Sequence, residues 1–364
     1  MTETRKRPKV SILIPIYNVA KYLVQCLDSV VSQTLQDIEI FCINDGSTDA
    51  SPEIIREYSR RDGRIVVIDK PNEGYGNSMN CGIAEMKGEY VGIVEPDDYV
   101  DLHMFEDLYN AAVSYAPMAQ VVKSAYWRVM RDGKTKEFIY PSPHKGRIKP
   151  ESQPFTMEQD GEMLFYHPSI WSAIYEKDFL DEYDIRFKEV PGTGWVDNPF
   201  FMQTLCHASR IAYVDKCYYY YREDNLDSSS NLKEYSIPFD RWNEMQDFLD
   251  NQFLNIPSIL EAQACRAFAY IIGASKAANA VEHSDALKAE IKKMYSRMDE
   301  RSVIDSLRIS KRSKRKFLAA VNPNNTEKLA GGYLRHLQKE FFRTVKVGGL
   351  DVALYRVRAF LAKM

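Results

Sequence analysis

Apolar and polar positions in the first hundred residues switch repeatedly between two periods. Val10–Ile14 is a compact apolar run ended by Pro15. Lys21–Ser32 then sets apolar pairs at Tyr22/Leu23, Cys26/Leu27 and Val30/Val31, the spacing of one helix face. Ile38–Ile43 is a second strand. Ser51 and Pro52 open a helix with Ile54, Ile55 and Tyr58 on its apolar face. Ile65–Ile68 is a third strand, Asn77–Lys87 a helix stopped at Gly88, and Val91–Val94 a fourth strand. Strands separated by helices predict a βαβ series, with a mostly parallel sheet covered by helices.

Ligands of such sheets bind beyond the carboxyl ends of the strands. Those ends carry Pro15-Ile16-Tyr17-Asn18, Asn44-Asp45-Gly46-Ser47, Asp69-Lys70-Pro71-Asn72 followed by Gly74 and Gly76, and Glu95-Pro96-Asp97-Asp98. All four should meet on one rim.

Beyond residue 100 the pattern loosens. A helix is expected over Leu102–Ser114, and a proline-rich loop over Tyr140–Phe155. Trp171–Leu180 reads as ordered and apolar. Gly192-Thr193-Gly194 precedes Trp195-Val196-Asp197. Ile211–Tyr221 is strand-like and runs through tyrosines to Arg222. Long helical patterns follow from about Asp240. In the last of them Leu350, Ala353, Leu354, Val357, Phe360, Leu361 and Met364 share one stripe, with Arg356, Arg358 and Lys363 off it. The expected parts are 1–110 and 111–235, two halves of one domain, and a helical region 236–364.

Composition narrows the classes. The 364 residues are 45% hydrophobic and 27% charged, ordinary for a folded chain and against disorder or a coiled coil. No apolar run is long enough for a transmembrane helix. The six scattered cysteines lack a CxxC, and Met1–Lys9 has no apolar signal region, so reduced thiols in a cytoplasm are expected. The net charge of −3 hides an asymmetry: residues 301–364 hold 15 basic and 4 acidic residues, a net +11, leaving −14 on the first 300. A basic tail on an acidic body suggests an anionic surface as partner.

The chemistry concentrates on the rim. Asp97 and Asp98 after a buried strand offer the oxygen ligands that Mg²⁺ or Mn²⁺ takes when it bridges substrate phosphates. The alternative is a helix cap before a helix at Tyr99–Tyr109. Asp45 can accept from a pyrimidine N–H where Gly46 lets the backbone come close, or it can be a plain Asp-Gly turn. Asn72–Asn80 follows a strand and opens a helix, but Met79 stands where a dinucleotide fingerprint needs its third glycine. A loop over a nucleotide sugar suits it better. Asp197 beside Trp195 is a candidate base, or merely a cap.

Val10–Asn18, Ser32-Gln33-Thr34-Leu35, Ile43–Asp49, Asn80, Gly88-Glu89-Tyr90 and Asp97-Asp98, in that order, resemble family 2 glycosyltransferases with the GT-A fold. The resemblance is dense over roughly residues 8–110 and weaker to about 230. It implies an α/β, Rossmann-like nucleotide-diphospho-sugar transferase fold with a helical C-terminal extension. Pro15 and Tyr17 would line base and ribose, and Asp45 would hold the pyrimidine edge. Asn18, Lys70, Asn80 and Asp97 would complete the nucleotide site. Asp98, with Asp97, would hold the Mn²⁺ or Mg²⁺ ion, Asp197 would be the catalytic base, and Arg222, ahead of Ser228-Ser229-Ser230, would contact the diphosphate. Glu95 and Pro96 depart from the family's usual acid and small residue, and Val196 replaces a usual Glu.

The implied activity is inverting, metal-dependent transfer from a nucleotide sugar to a hydroxyl. UDP is the expected carrier and dTDP stays open; the acceptor is a glycan or polyprenyl-linked chain of a surface polysaccharide or cell-wall glycopolymer. No Gln-x-x-Arg-Trp motif precedes Trp242, so single addition is expected rather than processive synthesis. Residues 301–364 would rest on an anionic inner leaflet, or pack on the protein or a second subunit. Nucleic acid is not an expected partner. Two other classes compete: a nucleotidyltransferase, which would want a Gly-rich basic loop after strand one, and a degenerate transferase-like scaffold acting through the basic tail.

Overall fold

The computed structural model describes residues 7–132, 136–223, 234–253, 256–278, 284–325, 329 and 331–361. Ser228-Ser229-Ser230, Lys363 and Met364 lie outside them. The chain forms two compact units, Met1–Thr156 with Pro168–Leu226, and Met157–His167 with Asp227–Met364. The second thus takes a short segment from the middle of the chain.

The first unit begins as its periodicity predicts. Strands β1 (Val10–Ile16), β2 (Ile38–Asp45), β3 (Ile65–Lys70) and β4 (Tyr90–Ile93) alternate with helices α1 (Ala20–Val31), α2 (Ser51–Arg61) and α3 (Tyr75–Glu85). All four strands run parallel, in the order β3-β2-β1-β4. Every residue of β1 is buried, as for a central strand covered on both faces. Helix α1 buries Leu23, Cys26, Leu27 and Val30, the i, i+3, i+4, i+7 stripe that faces a sheet.

The far side of the sheet is mixed. It comprises β5 (Tyr99–Val100), β6 (Val121–Asp132), β7 (Lys136–Pro141), β8 (Ala173–Glu176) and β9 (Ile211–Arg222), continuing β4-β8-β6-β9-β5 with β7 on β6. β8 runs antiparallel to β4 and β6, whereas β6 and β9 are parallel. Helices α4 (Met104–Val113), α5 (Lys177–Glu182) and α6 (Asp197–His207) belong to this half.

Two departures from the expected elements have physical causes. The helix read from Tyr99 starts at Met104 instead, because Tyr99 and Val100 pair with Tyr220 and Tyr219 and the Tyr99 and Tyr220 rings stack at 4.5 Å. Asp98 is therefore no helix cap. Strand β6 gives no clean alternation because Lys123 and Ser124 sit buried in its middle. The Lys123 ammonium donates to Ser169 O at 2.6 Å, Ser169 Oγ at 2.9 Å and Pro168 O at 3.0 Å, which satisfies it inside the core.

The second unit is helical: a 3₁₀ turn at Glu162–Phe165, then α7 (Ile237–Gln252), α8 (Pro257–Ala277), α9 (Ser284–Ser296), α10 (Glu300–Asp305), α11 (Lys311–Val321) and α12 (Tyr333–Leu361). Trp242 Nε1 donates to Gln263 O while Gln263 Nε2 donates back to Trp242 O, tying α7 to α8. Arg308 pairs with Glu162 at 2.6 Å and lies over the Phe165 ring. Helix α12 is kinked at Gly349, whose φ of 84° only glycine adopts at little cost. Among the described residues no helix is long and apolar enough to cross a membrane.

Candidate active site

The carboxyl ends of β1, β2 and β3 form the first part of the rim. Asp45, buried at the tip of β2, pairs with Lys70 Nζ at 2.5 Å and accepts the backbone N–H groups of Glu73 and Gly74 at 3.0 Å each. Burial alone would lower the Lys70 ammonium; its bonds to Asp45 and Glu73 outweigh that and raise it. These three donors leave Asp45 one acceptor position in use on Oδ2 and so room for a further donor there. Pro15 is buried within β1 opposite Ile43, whereas the Tyr17 ring is 51% exposed. Asn18, at a φ of 49°, uses its Oδ1 to accept from Thr48 N, Thr48 Oγ1 and Asp49 N, so it clamps the loop after β2.

The acidic corner follows β4. Asp98 N donates to Glu95 O at 3.0 Å and closes a tight turn over Pro96 and Asp97. Asp98 is buried, with Oδ1 accepting Arg222 N–H at 2.8 Å and Oδ2 accepting the Tyr219 hydroxyl at 3.0 Å. The same hydroxyl accepts Glu95 N–H at 3.0 Å. Burial pushes the Asp98 carboxyl well above the usual carboxylate range, and the Asp97 charge adds to this. Asp97 is less buried than Asp98. The Arg222 guanidinium lies between the Tyr22 and Tyr99 rings, donating to Asp97 O and, at 2.6 Å, to Gln25 Oε1. Arg222 thus braces the turn from behind.

A second loop joins from the later sequence. Tyr75 N–H donates to Gly192 O at 2.8 Å, and the Tyr75 hydroxyl donates to Glu95 Oε1 at 2.8 Å. A Cβ on Gly76 would stand 2.0 Å from Lys188 O, so only glycine permits this approach. Asn80 bonds Phe187 N, Phe187 O and Glu189 Oε1, which assigns it to holding the two segments together. The segment leads through Gly192, Gly194 and Trp195, all at positive φ, into Asp197 at the start of α6. Asp197 Oδ1 accepts from Asn198 Nδ2 at 3.0 Å. Burial pushes the Glu95 carboxyl up to about 8, with the Asp97 and Asp197 charges contributing. Glu95 and Asp97 of this turn therefore share one corner with Asp197, far along the chain.

Tyr75, Tyr219 and Gln25 were not singled out by the sequence. Tyr219 stood in the tyrosine run before Arg222, where strand alternation sends 219 and 221 to one face. Tyr75 stood in the Asn72–Asn80 segment. Nothing local marks Gln25.

Among the described residues no three His, Cys, Asp or Glu side chains form a closed metal cage. The corner fits a different mode, a hard cation held by one or two carboxylates and completed by substrate phosphates. Acids that raise one another's affinity for protons are the electrostatic counterpart of such a cation.

A mixed sheet with a parallel β1–β4 half, ending in an acidic turn close to the loop that carries Asp197, is a fold of the GT-A type. Residues 11–172 match Glycosyl transferase family 2. It is 33% identical over 226 residues to the uncharacterized glycosyltransferase EpsJ of Bacillus subtilis (strain 168), covering 60% of this chain and 62% of that protein. It is 30% identical over 217 residues to the glycosyltransferase GlyA of Streptococcus pneumoniae serotype 4, covering 59% of this chain and 30% of that one. The chain thus spans less than two thirds of either relative. In fold it is similar to S. aureus TarS 1–349 in complex with UDP-GlcNAc, with a TM-score of 0.69, 20% identity, and coverage of 86% and 87% of the two chains.

Proposed function

We propose that the protein moves a sugar from a uridine diphosphate sugar to a hydroxyl of a glycan or lipid-linked acceptor, with inversion, in surface polysaccharide or cell-wall glycopolymer assembly. The observation that carries this is the convergence of Glu95, Asp97 and Asp197 on one corner of a family 2 domain. The structural neighbour bound to UDP-GlcNAc supports a uridine donor.

The chain's own groups divide the work. Asp45 accepts from the pyrimidine edge, held in place by its ion pair with Lys70. Of the two acids expected at the Mn²⁺ or Mg²⁺ ion, Asp97 is the one we place against it, since both Asp98 oxygens already hold the turn. Such an ion, when bound, supplies positive charge to the diphosphate leaving group. Arg222 holds the Asp97 backbone in place. Asp197 takes the proton from the acceptor hydroxyl as that oxygen attacks from the face opposite the diphosphate, so no covalent sugar intermediate is required. A cytoplasmic site on the inner membrane face would suit a lipid-linked acceptor.

Nucleotide release across a panel of sugar nucleotides tests this. Expected is turnover with a UDP-sugar that falls about 10²–10⁴-fold in Asp197→Asn while UDP still binds. UDP binding with no release from any donor would favour the scaffold reading instead.

A further inference from the structure

Helix α12 presents apolar side chains to solvent at a density found in no other described element. Leu334 is 75%, Phe342 70% and Leu350 55% exposed, and Val347, Leu354 and Val357 are exposed as well. Leu334 and Phe342 stand eight residues apart on one helical row. Exposed Arg335, Lys339 and Lys346 occupy the row beside them. Beyond the Gly349 kink, Leu350, Leu354 and Val357 repeat the pattern at i, i+4 and i+7.

The preceding helix extends this surface. Lys311, Arg312, Arg315 and Lys316 of α11 are all exposed, while Phe317 and Leu318 turn inward. Lys311 lies against Gly331, and exposed Leu307 lies against Gly332, at the start of α12. Basic and apolar groups therefore adjoin within one unit.

Charge decides what covers the face. A second copy would bring +11 against +11, and the rows of Arg and Lys would meet their own kind. An anionic lipid surface meets both needs: headgroups take the Lys and Arg, and the Leu, Phe and Val side chains enter the acyl boundary. We infer that α11 and α12 dock the protein flat on an anionic bilayer, with Leu334, Phe342, Leu350 and Leu354 inserted and Lys311, Arg315, Lys316, Arg335 and Lys339 at the headgroups. The inference does not depend on the donor chemistry proposed above.

Flotation of the full chain with phosphatidylcholine vesicles, with and without phosphatidylglycerol, tests it. Expected is binding to the phosphatidylglycerol vesicles alone, weakened by salt. Leu334→Ser/Phe342→Ser should lose about tenfold or more. Lys311→Gln/Lys316→Gln should lose roughly 25-fold, about fivefold per charge. Leu334, Phe342 and Lys316 are exposed, so circular dichroism should be little changed. Equal binding to both vesicles, binding to neither, or a wild-type dimer that Leu334→Ser/Phe342→Ser dissociates would each overturn the inference. Donor hydrolysis in vesicle-free solution reports separately on the transferase reading.

Discussion

At the acidic turn two adjacent carboxylates have different neighbours. Asp98 is buried and accepts from both Tyr219 and Arg222, whereas Asp97 faces the corner shared with Glu95 and Asp197. Asp98→Ala should leave a buried hydroxyl and a backbone N–H without an acceptor and cost ~2–5 kcal/mol in denaturant unfolding. Asp97→Asn should change stability by less than ~1 kcal/mol yet abolish metal-dependent donor binding. The opposite pattern in those two variants would reverse the assignment. Lys123 offers a pH signature. Burial holds its ammonium down at about 7, against 10.5 for an exposed lysine. Between those values the unfolded chain binds more protons than the folded one, so stability rises with pH across that window; below about 7 both states are protonated and the contribution is constant. The urea midpoint should rise between pH 7 and 9 in wild type relative to Lys123→Met; parallel shifts in both proteins would refute the lowering of Lys123 by burial.

The βα elements carry the rim, and two loops complete it. α3 can meet the segment at 188–192 only because residues 74 and 76 lack side chains. Gly76→Ala should therefore cost ~1–3 kcal/mol and lower kcat, since Tyr75 and the approach to Asp197 move together. Gly63→Ala, with nothing within 4 Å of its added methyl, is the matched control and should be near neutral. Equal effects of the two in unfolding and turnover would show that this approach is unimportant. At this scale the sequence was legible where structure is local. Strands β1–β4 are buried apolar runs between amphipathic helices, so period alone placed them within a few residues. β6 escaped because Lys123 and Ser124 are satisfied by the turn at 168–172, far along the chain. β5 escaped because two residues gain strand character only from pairing with β9. The site divided the same way. The acids at 45, 97, 98 and 197 could be picked out, but the tasks of Asn18 and Asn80 as loop clamps depend on tertiary partners that no spacing reveals.

For the molecule as a whole, charge and fold are partitioned. The acidic first 300 residues include the sheet with its acidic rim, and the basic remainder forms the α11–α12 surface. The charge imbalance was plain in the sequence; that it coincides with exposed Leu334 and Phe342 was not, because a helical stripe looks alike whether it is core or surface. The inclusion of residues 157–167 in the second unit was likewise invisible to local pattern. We propose that a cation shared between Asp97 and the diphosphate unites the chain's chemistry. Calorimetric titration of uridine diphosphate into wild type and Asp97→Asn, with and without Mn²⁺, addresses it most directly. Expected is wild-type affinity at least about tenfold tighter with Mn²⁺, equivalent to ~1.4 kcal/mol, and no Mn²⁺ effect in the variant. Affinity indifferent to both the ion and the substitution would contradict it.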